Sequence, residues 1–500
     1  MDSYAYLGLS KPRRFLFKTR NFFVSIPKKT LSFFKSIPSK FVKIGKKVSK
    51  PFIEIKDALV YGDWKTRLSF IFMGFGLFTR KEFLKGILFF LFEIIFGLFM
   101  GFWGWKYLSK FGSLGTELPH EVWDEATQSF IYVKGDNSLL ILLYGTVCLV
   151  VILGFIYTYY QNIKSSYKLQ QISNVGGKIE TTKDVFKSLA DREYHKTLLA
   201  IPMLGLVTFT IIPLIFMIFI AFTNWDKGHL PPEHLFTWSG LSNFDILLGK
   251  NVLGENAKFA YTFKDALLWT LVWAFFATFS NYFLGMILAL VINKKGIKFK
   301  KFWRTILVTT IAVPQFVSLL LISQMFSSGG IVNHMLELMG LPKLVYAMNT
   351  VWARIFVIII NIWVGVPYTV LSCTGILMNI PNDLYESARI DGAGPFKMYM
   401  KITLPYMMFV MGPYLISQFI GNINNFNVIF LLTGGVPVNS DKLIGGDTDL
   451  LITWLYKLTV NENNYKMASA IGIVVFIIVA VISMIFYSKS NAVKNEEDFQ

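Results

Sequence analysis

Cysteine is almost absent from this chain of 500 residues: Cys148 and Cys373 are the only two, and both lie inside apolar runs. Thiols in such surroundings behave as small hydrophobes, so no disulfide frame, metal site or thiol nucleophile is expected. Histidine is equally scarce, five residues scattered without an HExxH or comparable cluster. A membrane enzyme, which would need a convergent acid, base, nucleophile or metal set, is disfavoured. The phosphate-cradling pattern GxxxxGK[ST] is missing, so any nucleotide must be bound by another chain. Charged residues make up 16% of the sequence against 54% hydrophobic, with 48 Phe and a mean hydropathy of +0.50. Soluble globular domains rarely reach that balance, and an α-helical membrane protein is expected.

The net charge of +18 is concentrated at the start, where Met1 to Glu82 holds 18 Lys or Arg against 5 Asp or Glu. Within it FFVSIPKK (Phe22 to Lys29) is echoed by FFKSIPSK (Phe33 to Lys40). Basic charge beside Phe suits an anionic lipid surface, and a solvated tail suits it equally; nucleic acid is not an expected partner beside so much membrane sequence. No short apolar core followed by a small-residue cleavage site occurs early, so no cleavage is expected. Leu68 to Phe78 is apolar between Arg67 and Arg80, but eleven residues of helix cannot cross a core of about 30 Å, which places it at the interface.

Eight runs are long enough to span: Phe83 to Tyr107, Leu139 to Tyr160, Thr197 to Phe222, Ala266 to Asn293, Thr305 to Phe326, Ile355 to Leu377, Tyr406 to Leu432 and Met467 to Tyr487. Their continuous apolarity indicates helices rather than the alternating strands of a barrel. Three divisions follow: a basic cytoplasmic or interfacial segment over 1–82, two additional spans over 83–165, and a six-helix core over 196–490. Asn293 to Arg304 carries six Lys or Arg and no acid, whereas Phe111 to Asn137 carries five acids and one Lys. Retention of basic loops inside puts the first in the cytoplasm, the second outside, and both termini in the cytoplasm.

The core runs have no Asp, Glu, Lys or Arg in their interiors, which weighs against an ion-coupled carrier. They offer carboxamides instead. Gln418, Asn422, Asn424, Asn425 and Asn427 crowd the seventh run, and Gln418, Asn422 and Asn425 follow an i, i+4, i+7 spacing that shares one helical face. Such amides can glue helices at about 1 kcal/mol or less each, or bind an uncharged, hydroxyl-rich ligand such as a sugar. Asn361, Trp363 and Gly365 in the sixth run add an amide, an aromatic plate and an opening.

The connection over 380–405 reads IPNDLYESARIDGAGPFKMYMKITLP, the punctuation of two short helices around a tight turn. Asn382 or Asp383 can cap the first helix, Gly392 and Gly394 permit the turn, and Pro395 suits the first position of a second helix that ends where Pro405 begins the next span. The order Glu386-Ser387-Ala388, three residues, Gly392, nine residues, Ile402-Thr403-Leu404-Pro405 resembles the EAA loop of bacterial ABC-importer permeases, with Ser387 in place of an Ala. From about Lys196 onward the chain is similar to the longer, maltose-transporter type of permease subunit.

That resemblance implies a transport subunit rather than an enzyme, located in the bacterial cell membrane, which binds no cofactor directly. It implies a second, related permease chain, a pair of cytoplasmic ATPase subunits that use ATP, and an external sugar-binding protein. It further implies that Glu386, Ser387, Ala388, Asp391, Gly392, Ile402, Leu404 and Pro405 couple the chain to the ATPase. Asn361, Trp363, Val364, Gly365, Asn422 and Asn425 match the family's sugar contacts; Ile311, Gln315 and Gly421 stand where the family has Tyr, Ser and Phe, and Gln418 and Gln315 complete the expected substrate path. The loop Thr223 to Lys264 is too short for the folded external domain of some maltose-type subunits, a feature of permeases served by a lipid-anchored binding protein. The substrate expected is an oligosaccharide such as a maltodextrin; a polyol importer of the same architecture and a secondary sugar carrier are the alternatives.

Overall fold

The computed structural model describes residues 49–177, 179, 182–250, 253–294 and 296–489; the paired segments Phe22 to Lys29 and Phe33 to Lys40 lie outside them. Among the described residues six helices are long and apolar enough to cross a membrane, and up to eight if each of two bent pairs counts as one span. The chain divides into two compact units, one of residues 1–109 with 143–212 and one of 110–142 with 213–500.

In the first unit, α1 (Trp64–Leu68) and α2 (Phe75–Phe78) form a short hairpin before α3, Phe83–Leu108. α4 (Ser138–Asn174) runs back beside α3 along an aromatic seam, with Phe96 stacked on Phe155 at 3.9 Å and Trp103 edge-on to Tyr144 at 4.8 Å. The stretch Leu68 to Phe78 is not the single interfacial helix expected. Gly74 breaks it at φ +82°, where a Cβ would lie 2.0 Å from the Gly86 carbonyl, and polar side chains hang the hairpin on α4. Asn162 accepts from the Gly74 N–H at 2.8 Å and donates to the Ser69 carbonyl at 2.9 Å. Arg80, which flanks this run, is buried and paired with Asp63 at 2.6 Å. A buried guanidinium needs such a partner, which the sequence places seventeen positions away.

α5 (Thr182–Ala190) follows, and α6 (Tyr194–Ile220) carries the chain into the second unit at Pro213. The second unit also holds β1 (His120–Asp124) and β2 (Ser129–Val133), an antiparallel hairpin within the acidic connection Phe111 to Asn137. Its helices are α7 (Ser242–Leu247), α8 (Glu255–Asn293), α9 (Lys300–Ala312), α10 (Gln315–Met325), α11 (Ile331–Leu338), α12 (Thr350–Leu377), α13 (Asn382–Ile390), α14 (Pro395–Ile423), α15 (Phe426–Leu432), α16 (Leu451–Val460) and α17 (Tyr465–Lys489).

Two expected spans are broken. α9 and α10 meet at 85° across Val313 and Pro314, where the ring removes a backbone donor and forces the preceding residue to extend, Val313 having ψ 122°. α14 and α15 meet at 43° across Asn424 and Asn425. Pro405, expected to begin a span, lies inside α14 instead. A π turn over Tyr399–Thr403, with Leu404 N–H bonded to Tyr399 O, shifts the ladder just before the ring, so a missing N–H does not stop the helix. α6 repeats the device with a π turn over Val207–Ile211 ahead of Pro213.

Contacts at the helix ends sort the second unit's passes. Asn293 Nδ2, closing α8, donates to Thr374 Oγ1 near the close of α12 at 3.3 Å. At the opposite end Asp265 of α8 pairs with Arg354 of α12 at 2.8 Å. α8 and α12 therefore run in the same direction, and α9 with α10 must return the chain between them. Lys442, following α15, also reaches Asp265 at 2.6 Å, so α14 with α15 crosses as well. Lys466 at the start of α17 pairs with Asp226 beyond α6 at 2.5 Å. α8 and α12 approach closely where Gly285 faces Thr369 and Gly365 faces Asn281, sites at which a Cβ would fall 2.6 Å and 2.2 Å from the neighbour.

Candidate functional site

Midway along α8 and α12 lies a polar cavity of about 240 Å³. An apolar cluster that includes Trp269, Trp273, Leu319 and Val428 packs on the Asp265 side of it, and one that includes Met286, Val370, Met407 and Met411 packs on the Asn293 side. Of the residues expected along a substrate path, Asn361, Val364, Gly365, Gln315, Gln418, Asn422 and Asn425 all line this cavity. No side chain that carries a formal charge at neutral pH is among its lining residues. Both span breaks open onto it. Gln315 is the first residue of α10, and Asn425 is the N-cap of α15, accepting from the Val428 N–H at 3.3 Å. Broken helices at membrane depth are tolerated where they line such a cavity, because their freed backbone groups find polar company there.

Trp363 is elsewhere. It is 57% exposed and lines an adjoining, apolar cavity with Leu284, Ile287, Leu288 and Pro367; the two cavities share Gln315, Val364 and Tyr368. A residue two positions after Asn361 is rotated about 200° around a helix, onto another face, whereas Val364 and Gly365 at i+3 and i+4 share the face of Asn361. The amides of α14 are also less free than their spacing suggests. Asn422 donates to Thr278 Oγ1 at 3.0 Å and accepts from Asn425 Nδ2 at 3.3 Å. Residues absent from the sequence reading complete the lining: Thr278, Asn281 and Tyr282 from α8, Tyr368 and Thr369 from α12, and Tyr414 from α14. An Asn in the middle of an apolar run was the available signal for Asn281.

The loop over 380–405 forms α13, a turn, and the foot of α14. Neither Asn382 nor Asp383 caps α13: the cap position is Pro381, with no side-chain bond, because the helix starts one residue earlier than expected. The other end is closed by a Schellman motif. Gly392 adopts φ +72°, its N–H bonds to Arg389 O at 3.0 Å, and Ala393 N–H bonds to Ala388 O at 2.8 Å. Gly394 has φ −71° and needs no special conformation, and Pro395 occupies the first turn of α14. Glu386, Ser387, Asp391, Gly392 and Pro405 are exposed, whereas Ala388, Ile402 and Leu404 are half-buried. Tyr385 OH and the buried Thr403 Oγ1 share a hydrogen bond of 2.8 Å that ties α13 to the foot of α14.

At the opposite end of the second unit, Lys442 Nζ lies between Asp265 at 2.6 Å and Asp447 at 2.7 Å. Thr350 Oγ1 donates to Asp447 at 2.5 Å and Arg354 Nε to its backbone carbonyl at 2.9 Å. Burial pulls the Asp447 carboxyl upward, but the Lys442 ammonium, the Thr350 hydroxyl and the Asn439 amide outweigh it and hold it below the ordinary carboxylate value.

Residues 281–491 match the family described as the binding-protein-dependent transport system inner membrane component. The galactooligosaccharides transport system permease protein GanP of Bacillus subtilis is 34% identical over 85% of this chain and 97% of its own length. The maltodextrin transport system permease protein MdxF of the same organism is 34% identical over 87% and 97%. The maltose/maltodextrin transport system permease protein MalF of Escherichia coli is 33% identical over 52% of this chain and 51% of its own. Among solved structures, a bacterial ABC transporter involved in the import of the acidic polysaccharide alginate superposes with a TM-score of 0.50 at 24% identity, covering 62% of this chain and 98% of that one.

Proposed function

Because the chain belongs to the inner membrane components of binding-protein-dependent transport systems, as a permease subunit of an ABC importer whose ATP is hydrolysed by separate subunits, we propose that it conducts a neutral oligosaccharide through the cavity between α8, α12 and α14. The observation that carries this is the lining: amides, tyrosines and two threonines without a formal charge, held midway along the spans. Neutral donors and acceptors match hydroxyls, whereas an anionic solute would call for Arg or Lys. The relatives named for galactooligosaccharides and maltodextrin support the same class. A volume of about 240 Å³ is below the roughly 300 Å³ at which small-ligand pockets begin, so the sugar would pass residue by residue rather than folded.

In this reading the side of α13 is cytoplasmic, as are both termini, and the ATPase pair docks on α13. The exposed Leu384, Ile390 and Phe396 give that docking an apolar surface, and the Tyr385 to Thr403 bond passes its motion into α14. A second permease chain completes the path, and a lipid-anchored binding protein delivers sugar to the end that carries Asp265, where the described residues of the connection between α6 and α8 form one short helix, α7. The test is reconstitution of this chain with its second permease, ATPases and binding protein in liposomes. Uptake of maltotriose or a galactotriose is expected only with ATP and the binding protein. Uptake driven by an ion gradient without ATP overturns the proposal.

A further inference from the structure

Three buried side-chain polar atoms without a hydrogen-bond partner, Asn281 Oδ1, Tyr282 OH and Asn361 Nδ2, belong to residues that line the same polar cavity. Buried polar atoms are nearly always paired, so three unpaired ones around one cavity mark a surface made for a polar occupant. Two of them come from α8, which neither the amide pattern of α14 nor the stretch around Asn361 includes. Their chemistry is complementary: an amide oxygen accepts, an amide nitrogen donates, and a phenol does either, which is what a ring hydroxyl requires. Asn422 and Asn425, by contrast, spend their amides on Thr278, on each other and on the Val428 N–H. The position of Asn281 depends on Gly365, since a Cβ there would lie 2.2 Å from Asn281 Nδ2.

Resting on the reading of this cavity as a sugar path, we propose that Asn281 and Tyr282 of α8 are specificity-determining contacts that read the ring hydroxyls of the translocated sugar, with Asn361 completing the set. α8 then supplies a wall of the path that selects among sugars, beside the amides contributed by α12 and α14.

The assembled transporter, reconstituted with its partners and normalised to complex, is tested for competitive uptake of maltotriose against β-galactotriose. Tyr282→Phe keeps the ring and removes only the hydroxyl; Asn281→Ser keeps a small polar group. Each is expected to change the uptake ratio of the two sugars by on the order of fivefold, the value of one hydrogen bond. Gly365→Ala is expected to mimic Asn281→Ser by displacing the amide, and the double variant to be no worse than either. If Tyr282→Phe and Asn281→Ser both assemble and leave the ratio at the wild-type value, the proposal is overturned. If Asn281→Ser fails to assemble, the Tyr282→Phe ratio decides alone. Wild-type complex that takes up neither sugar sinks the sugar reading itself, and this inference with it, a result visible before any variant is made.

Discussion

Gly392 sits at φ +72° with open space where a Cβ would be, so backbone conformation alone, not crowding, bars a side chain there. Gly392→Val should cost about 1–3 kcal/mol, because a β-branched residue is poorly accommodated at positive φ. Gly392→Asn should cost distinctly less, Asn being the side chain that visits the left-handed region most readily. Sugar-stimulated ATP hydrolysis and uptake should fall together in the Val variant, with normal membrane abundance, and largely recover in the Asn variant; equal losses in both would show that the turn's geometry is not what matters. Asn425 makes a second residue-scale case. As the cap of α15 it should lose about 0.5–2 kcal/mol on replacement by Ala, read as a lower melting temperature of the complex, and Asn425→Ser should restore most of that. What the sequence showed here depended on local rules. A Gly in a turn and a Pro at the first turn of a helix are local statements and could be read directly, whereas Trp363, matched to the family's sugar contacts together with Asn361, is turned by helical rotation onto another face and lines the adjoining apolar cavity.

At the scale of elements, the cluster of Asp265, Lys442, Asp447, Arg354 and Thr350 fastens the end of the bundle opposite α13. The Lys442 side chain is 3% exposed, so Lys442→Met leaves Asp447 buried without its counter-charge and should destabilise by about 3–5 kcal/mol. Adding Asp447→Asn should recover part of that loss, since the uncompensated charge is then gone. The pH dependence has a definite sign. Asp447 is held below the ordinary carboxylate value, so its contribution is complete above about pH 4 and is lost as pH falls through the lowered value. Melting of the purified protein should therefore drop steeply in acid for the wild type and less so for Asp447→Asn; identical acid profiles would remove Asp447 from the account. Nothing local announced this cluster. Lys442 and Asp265 are 177 positions apart, and each reads alone as a loop charge at the end of an apolar run. The spans themselves were legible because lipid demands long continuous apolar runs, but the breaks within two of them were not, because a run's mean composition carries no sign of a bend. Pro314 and the cap-forming Asn425 were the available signals.

For the whole molecule, end contacts sort the loops of the second unit into two sets, and loop charge is what assigns each set to a side of the membrane. α8 and α12 finish at the same end, joined through Asn293 and Thr374, so the residues just after them, Lys298 and Arg389, must lie on one side. That requires α9 and α10, despite the 85° bend, to make a full crossing rather than dip in and return. Asp124 and Glu233 belong to the other end. The segment carrying Asp124 is tied to the loop carrying Glu233 by the Phe236 N–H to Ser138 Oγ at 3.2 Å and by the Trp238 Nε1 to Phe111 O at 3.1 Å. The same loop holds Asp226, which is fixed to Lys466 at the start of α17. Single cysteines at 124, 233, 298 and 389, in a chain whose Cys148 and Cys373 are buried, can be labelled with a membrane-impermeant maleimide on intact cells and again after permeabilisation. Positions 124 and 233 are expected to react in intact cells, and positions 298 and 389 only after permeabilisation, since the basic loop Asn293 to Arg304 is the kind retained inside. Labelling that separates 298 from 389 would mean that α9 and α10 form a re-entrant loop. Labelling that keeps each pair together but exchanges the two sides would leave the fold intact and reverse the direction of transport, moving the ATPase dock to the wrong face of the membrane.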